Sequence, residues 1–222
     1  MNIEVKKLTG VELLRKANSF TTGHESKMSL ATAYRCGHTV IRTQMFEVEC
    51  YGIPQFVAYH LRTHFTIHPM PPYEYGWMRS KRVDKGAPDF KSECNAIANA
   101  IEGDYDVKET RSLCQLMSDL RSLPERFDRY APTDFFFTVS AEGLMTLAHS
   151  RLCCMASKET REVMKAICEL VEEQDPDLFR HLVPQCVYRG GICPELRCCG
   201  YIHSQSGQKA LENYRQLFTD KK

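Results

Sequence analysis

The run Thr133-Asp-Phe-Phe-Phe-Thr-Val-Ser-Ala141 constrains this chain more than any other stretch. Consecutive phenylalanines followed by Thr138 and Val139 lose side-chain freedom in a helix and fit a pleated, half-buried surface, so the run is a strand or an extended approach to the next helix. A second segment, Gln44 to Gly52, alternates Phe46, Val48 and Cys50 with Glu47, Glu49 and Tyr51, the period of two expected of a half-buried strand. Two such strands need apolar cover, and the sequence supplies it as helices. Ile3, Val5 and Leu8 suggest a short first strand, after which Thr9 can cap a helix bearing Val11, Leu13, Leu14 and Ala17. Residues 21–27 read as loop. Met28, Leu30, Ala31 and Tyr34 then have helical spacing, with Gly37 where that helix stops and His38 beyond it. Pro54 opens a helix carrying Phe56, Val57, His60, Leu61 and His64, and Pro69, Pro71 and Pro72 end it.

The loop that follows, 73–82, is rich in aromatics and cations. The spacing predicts helices over 112–123, 141–155 and 157–173, the last favoured by Ser157 and Thr160 at its start near Glu159 and Glu162. Asp175-Pro176 caps and starts a short helix through His181. The pattern predicts an α+β fold with an antiparallel or mixed sheet, strands early and helices dominating late. At 222 residues and 43% hydrophobic content, one compact domain over 1–222 is expected, with a Cys-rich segment at 184–203.

Charge and cysteine usage limit the function classes. Lys plus Arg number 29 and Asp plus Glu 28, a net +1, so no bulk field would hold a nucleic acid polymer. No apolar run approaches the ~18 residues of a membrane span and no leader precedes the first strand, so a cytoplasmic chain is expected. The 11 cysteines then read as reduced thiols or metal ligands rather than a disulfide framework.

Three constellations could carry chemistry. His60, His64 and His68 stand at i, i+4, i+8, which on one continuous helix aligns three imidazoles, although Pro69 breaks the helix at the third. Cys186, Cys193, Cys198, Cys199 and His203 offer the thiolate and imidazole ligands of a tetrahedral zinc site. Their spacing matches no paired Cys-x2-Cys knuckle, and thiols packed as small apolar residues are the preferred reading, so these are weak metal candidates. The tandem Cys153-Cys154 reads as core packing within a helix, where adjacent residues point ~100° apart. Third, Arg62, Arg79, Lys81, Arg82 and Arg151, with Ser80 among them and Tyr73, Tyr75 and Trp77 nearby, combine forked phosphate donors with ring faces. A nucleotide pocket needs both.

Taken together, these segments resemble the flavin-dependent thymidylate synthases. The strand from Gln44 with Pro54-Gln-Phe-Val-Ala58 is similar to the strand and apolar helix entrance that precede the family's Arg-His-Arg motif; Ser80-Lys81-Arg82 resembles the Ser-x-Arg that completes it. The run from Thr133 through Leu144-Met145 to Ser150-Arg151 resembles the family's Phe-Phe-x-Thr-Val-Asn-Ala segment and its Leu-Arg helix. Pro184-Gln-Cys186 with Cys193-Pro-Glu195 and Cys198 resembles the cysteine-bearing tail of some bacterial members. The departures are specific. Thr63-His64-Phe65 stands at Arg-His-Arg, Gln44 replaces a histidine, Asp134 an arginine, and Ser140 and Glu142 the flavin-contacting Asn and Arg.

The resemblance implies an enzyme that transfers a one-carbon unit from methylenetetrahydrofolate to C5 of dUMP, with FAD as hydride donor and NADPH as its reductant. It assigns Arg151 the catalytic role of stabilising charge on the pyrimidine oxygens. It places Ser80, Lys81, Arg82, His60, Arg62 and Arg151 on the nucleotide, and His64, Gln44, Thr63 and His149 beside the flavin. It implies a homotetramer with shared sites. Two alternatives stay open: C5 methylation or hydroxymethylation of another pyrimidine nucleotide, and a non-catalytic, metal-stabilised relative that lost the flavin.

Overall fold

The computed structural model describes residues 1–67, 78–82, 95–99, 118 and 131–219, with side chains for all of these except 63–67 and 78–82. The two strands read from the sequence lie side by side at the centre of a four-stranded antiparallel sheet. The sheet comprises β1 (Asn2–Lys7), β2 (Met45–Pro54), β3 (Met78–Arg82) and β4 (Pro132–Ser140) in the order β1-β2-β4-β3. Val48 pairs with Phe137 and Phe46 with Val139, and all four side chains are buried on the covered face. The register shifts between Cys50 and Ile53. There Gly52 takes φ +65°, which favours glycine, and its N–H donates to Asp134 Oδ1 at 3.0 Å.

Helices cover this face. Val11–Thr22 (α1) and Leu30–Cys36 (α2) follow β1, α2 ending on Gly37 at φ +58°, as its sequence predicts. Thr9 is not the cap of α1: Gly10 holds the N-cap position without a side-chain bond. The Thr9 hydroxyl donates to Thr43 O and accepts from Met45 N, each at 2.8 Å, so a cross-chain bridge takes the group that a cap would use. Gln55–Ile67 (α3) runs directly out of β2, and Ala141–Arg151 (α4) directly out of β4. Ser140 caps α4 by accepting from Gly143 N at 3.2 Å.

The helix expected over 141–155 stops four residues early, which overturns the placing of Cys153 and Cys154 within a helix. Leu152 N still bonds Ala148 O at 2.9 Å, after which the chain turns, with Ala156 N on Cys153 O at 2.9 Å. The Arg161 guanidinium satisfies the carbonyls of Cys154 (2.7 Å) and Ala156 (3.1 Å), so the exit from α4 has partners outside the helix. Lys158–Gln174 (α5) turns Val163, Met164, Ile167, Cys168 and Val171 into the core, the spacing of one apolar face. Pro176–Phe179 (α6), Gln185–Tyr188 (α7) and Gln205–Thr219 (α8) follow it in the chain. Around α8 a smaller core forms from Val187, Ile202, Leu211, Tyr214 and Leu217.

Asp175 joins the layers. Its carboxylate accepts from Lys7 Nζ at 2.6 Å, Tyr34 OH at 2.7 Å and Leu178 N at 3.0 Å, the last as the N-cap of α6. Burial, and then the adjacent carboxylate, pushes the Tyr34 phenol far above its usual range, so Tyr34 is a donor at every working pH.

Candidate functional site

The junction between α3 and α4 is where the resemblance places its chemistry. Arg151, half-buried at the end of α4, donates through Nη2 to the backbone carbonyl of His60 on α3. The His60 ring is held in turn: Nδ1 lies 3.0 Å from Thr160 Oγ1, which sits 2.8 Å from the capping hydroxyl of Ser157, and Phe56 packs against it edge-on at 5.4 Å. Three helices are thus tied at one point, and Thr160 joins the set although the sequence marks it only as a helix-start residue. Arg62 lies exposed on α3, about 100° around the helix from the buried Leu61. Thr63 and His64 continue α3, but their side chains fall outside the described residues, as does His68; the three-imidazole array is therefore outside the described residues too.

Gln44 and His149 are buried at the two ends of the same region. Gln44 lies wholly within the protein, its Nε2 donating to Gly10 O and Thr43 Oγ1, both at 3.2 Å. Its backbone carbonyl accepts from Ala141 N at 2.8 Å, which fixes Gln44 beside the start of α4. His149 stacks on Tyr188 of α7 with ring centroids 4.1 Å apart and planes 24° apart. Burial, the dominant cause, holds its imidazole down at about 4, although a hydrogen bond to the backbone of His181 opposes the shift. Burial likewise lowers His181 to about 4 and Arg151 to about 10, so both imidazoles are neutral at pH 7 and Arg151 is charged. Among the described residues, buried side-chain polar atoms without a partner are Gln44 Oε1, His149 Nε2 and Arg151 Nε.

Ser80, Lys81 and Arg82 lie in strand β3, not in a loop: the free edge of β4 pairs with them, Ser80 opposite Phe135, Lys81 opposite Asp134 and Arg82 opposite Thr133. The family departures on and after β4 have local occupations. Asp134 holds the Gly52 turn, Ser140 caps α4, and Glu142 pairs with the exposed Arg42. A 510 Å3 cavity opens beside Tyr188, lined by Arg35, Arg189 and Arg215 with Tyr34, Tyr214 and Phe218. The sequence reading names none of these as site residues; only the Tyr34 helix spacing hints at the wall it forms. Of the thiols in the Cys-rich segment, Cys186, Cys193 and Cys199 line one cavity of about 10 Å3, joined there by Cys153 and Cys154, whereas Cys198 is not among its lining residues. His203 lies exposed in a short turn before α8 and is not among the residues lining this cavity. Among the described residues, no three ligand groups already stand converged as a metal centre.

No protein-family profile matches the chain. Over 102 residues, 45% of the chain, it is 29% identical to a flavin-dependent thymidylate synthase of Clostridium tetani, and the match spans 39% of that relative's length. The fold superposes on the flavin-dependent thymidylate synthase ThyX of Helicobacter pylori complexed with FAD and dUMP, with TM-score 0.53 and 13% identity over 82% of this chain and 100% of that one. A second structure of the Helicobacter pylori enzyme with FAD and dUMP gives TM-score 0.52 at 13% identity over 82% and 99%. The architecture is therefore the α+β fold of the flavin-dependent thymidylate synthases. In sequence and in fold the chain is thus similar to the flavin-dependent thymidylate synthases, at low identity. No helix among the described residues is long and apolar enough to cross a membrane.

Proposed function

We propose that this chain transfers a one-carbon unit from methylenetetrahydrofolate to C5 of dUMP, with FAD as bound cofactor and NADPH as the reductant. The observation that carries this reading is the identity of the unpartnered buried atoms. Gln44 Oε1, His149 Nε2 and Arg151 Nε belong to three residues that the resemblance assigns to flavin or nucleotide. Buried polar atoms in folded proteins nearly always have partners, so a set without them reads as a set reserved for a ligand.

The donor and acceptor types fit such a ligand. The His149 ring donates to the His181 backbone, which leaves Nε2 as a bare acceptor; Gln44 Oε1 is a second acceptor and Arg151 Nε a donor. Isoalloxazine and uracil rings carry both complementary types, N–H and C=O. Gln44 adjoins residue 141, and His149 lies eight residues on, about 12 Å along α4 at 1.5 Å per residue, a span suited to a dinucleotide rather than to a pyrimidine alone.

When bound, FAD would supply the hydride. Gln44 and His149, with Thr63 and His64, would hold it. Arg151 stays protonated at working pH and keeps a fixed direction through its bond to the His60 carbonyl, so its charge is already aimed when negative charge develops on the pyrimidine oxygens. His60 then acts as a positioning group, and Ser80, Lys81, Arg82 and Arg62 are left to the nucleotide phosphate. A homotetramer with sites shared between copies completes the reading.

The test is a visible absorption spectrum of the purified protein before and after FAD and dUMP are added, with NADPH bleaching followed in the same cuvette. Bound flavin reduced by NADPH, followed by dTMP formation from dUMP and methylenetetrahydrofolate, is the expected result. A protein that takes up no flavin overturns the proposal.

A further inference from the structure

We propose that Cys153, Cys186, Cys193 and Cys199 bind one soft divalent metal ion, zinc by preference, as a tetrahedral four-thiolate site that fastens the irregular tail to the exit of α4. The four thiols face one another across one cavity lining, Cys153 from the exit of α4 and Cys186, Cys193 and Cys199 from the tail. Cys154 is a fifth lining thiol and pairs with Cys199, while Cys198 pairs with Cys193 and does not line the cavity.

Outside this cavity the tail is held by the bond from Arg215 Nη2 to Gly190 O at 2.9 Å. Between α7 and the turn at Tyr201–His203 the chain has no helix or strand, and its large apolar residues face outward, Ile192 at 69% and Leu196 at 110% exposure. Such a stretch buries too little apolar surface to hold itself, which is the situation in which small protein segments depend on a metal. It nonetheless brings Cys193 and Cys199 back against Cys153 and Cys186. Charge is compatible as well: four thiolates on a divalent ion leave a net −2, and Arg161 and Lys165 act on this cluster from α5.

Ligation of a divalent ion by thiols releases their protons to solvent. Among the described residues no three ligand groups stand at coordinating distances, so ligation requires these cysteine side chains to turn toward one another.

The test uses the full chain, stripped with a chelator under a non-chelating reductant, then titrated with Co2+ and back-titrated with Zn2+. Uptake of one Co2+ per chain, with thiolate charge-transfer and tetrahedral ligand-field absorption that Zn2+ abolishes, is the expected result. The signal is lost in Cys186→Ser and in Cys199→Ser and retained in Cys198→Ser and Cys36→Ser. Alkylation of the unmutated protein followed by mass spectrometry needs no variant: Zn2+ should protect these four cysteines and leave Cys36 reactive. No uptake, a weak octahedral spectrum, unprotected thiols, or a mass showing disulfides among the four would each overturn the proposal. None of these readouts depends on flavin or nucleotide binding.

Discussion

The guanidinium of Arg151 is bonded to the backbone carbonyl of His60, so the end of one helix is fixed to the middle of another across 91 residues of chain. A cation held in this way has lost its rotational freedom before any substrate arrives. Arg151→Ala should therefore lower kcat for dTMP formation by roughly 100-fold, the scale of removing one preorganised donor, and leave the His60 carbonyl unpaired. Arg151→Lys keeps a charge but not the fork, and should recover only part of the rate. Unchanged turnover in a folded Arg151→Ala protein would remove Arg151 from the catalytic role.

Acid should unfold this protein through its two buried imidazoles. His149 and His181 hold folded values of about 4 against an unfolded 6.5, so between those limits the unfolded state binds more protons and stability falls as pH falls. Above the unfolded value the contribution is fully present; each imidazole accounts for on the order of 3 kcal/mol across the window. Chemical denaturation at several pH values measures the slope, and His149→Phe, which keeps a ring against Tyr188, should flatten it. An equal slope in the variant would exclude His149 as a source.

Asp175 is answered by Lys7, Tyr34 and the α6 backbone at once, and its side chain is buried. Asp175→Ala leaves an ammonium and a phenol without their acceptor, with an expected loss of about 3 kcal/mol in unfolding free energy. Tyr34→Phe removes one partner only and should cost about 1 kcal/mol. Comparable losses from both variants would mean that the ion pair contributes little.

Ser140→Ala tests whether the departure from the family pattern at this position has become structural. Losing the cap on Gly143 N should cost about 1 kcal/mol, and at this chain length lower Tm by about 2–4 °C. Ser140→Asn, which can cap and also restores the family residue, should hold Tm. A fall in Tm for Asn equal to that for Ala would show that the cap is not what matters there.

What the sequence made legible was local. The aromatic run at 133–139, the alternation at 45–50, the Gly37 stop and the Ser157 and Asp175 caps each contain their own signal, because propensity and capping act within a few residues. The misreadings came where a distant partner decided the outcome. Thr9 was taken from capping by Thr43 and Met45, α4 ends where Arg161 collects its carbonyls, and Ser80 to Arg82 became a strand because β4 offered an edge. The tandem Cys153-Cys154 was misplaced for the same reason, and with it the gathering of thiols that only the tertiary turn creates. The resemblance names Gln44, His149 and Arg151 as site residues, whereas the tie of Arg151 to His60 and the stack of His149 on Tyr188 have no signal in the sequence.

The Lys7 to Asp175 contact also has a temporal meaning. Its partners are separated by 168 residues, so a chain emerging from the ribosome makes its first strand long before the carboxylate that secures it exists. Non-local closures of this kind are late events in folding. Until residue 175 appears, Lys7 and the Tyr34 phenol have no acceptor there, and the nascent molecule must wait for its final third before its opening segments can settle.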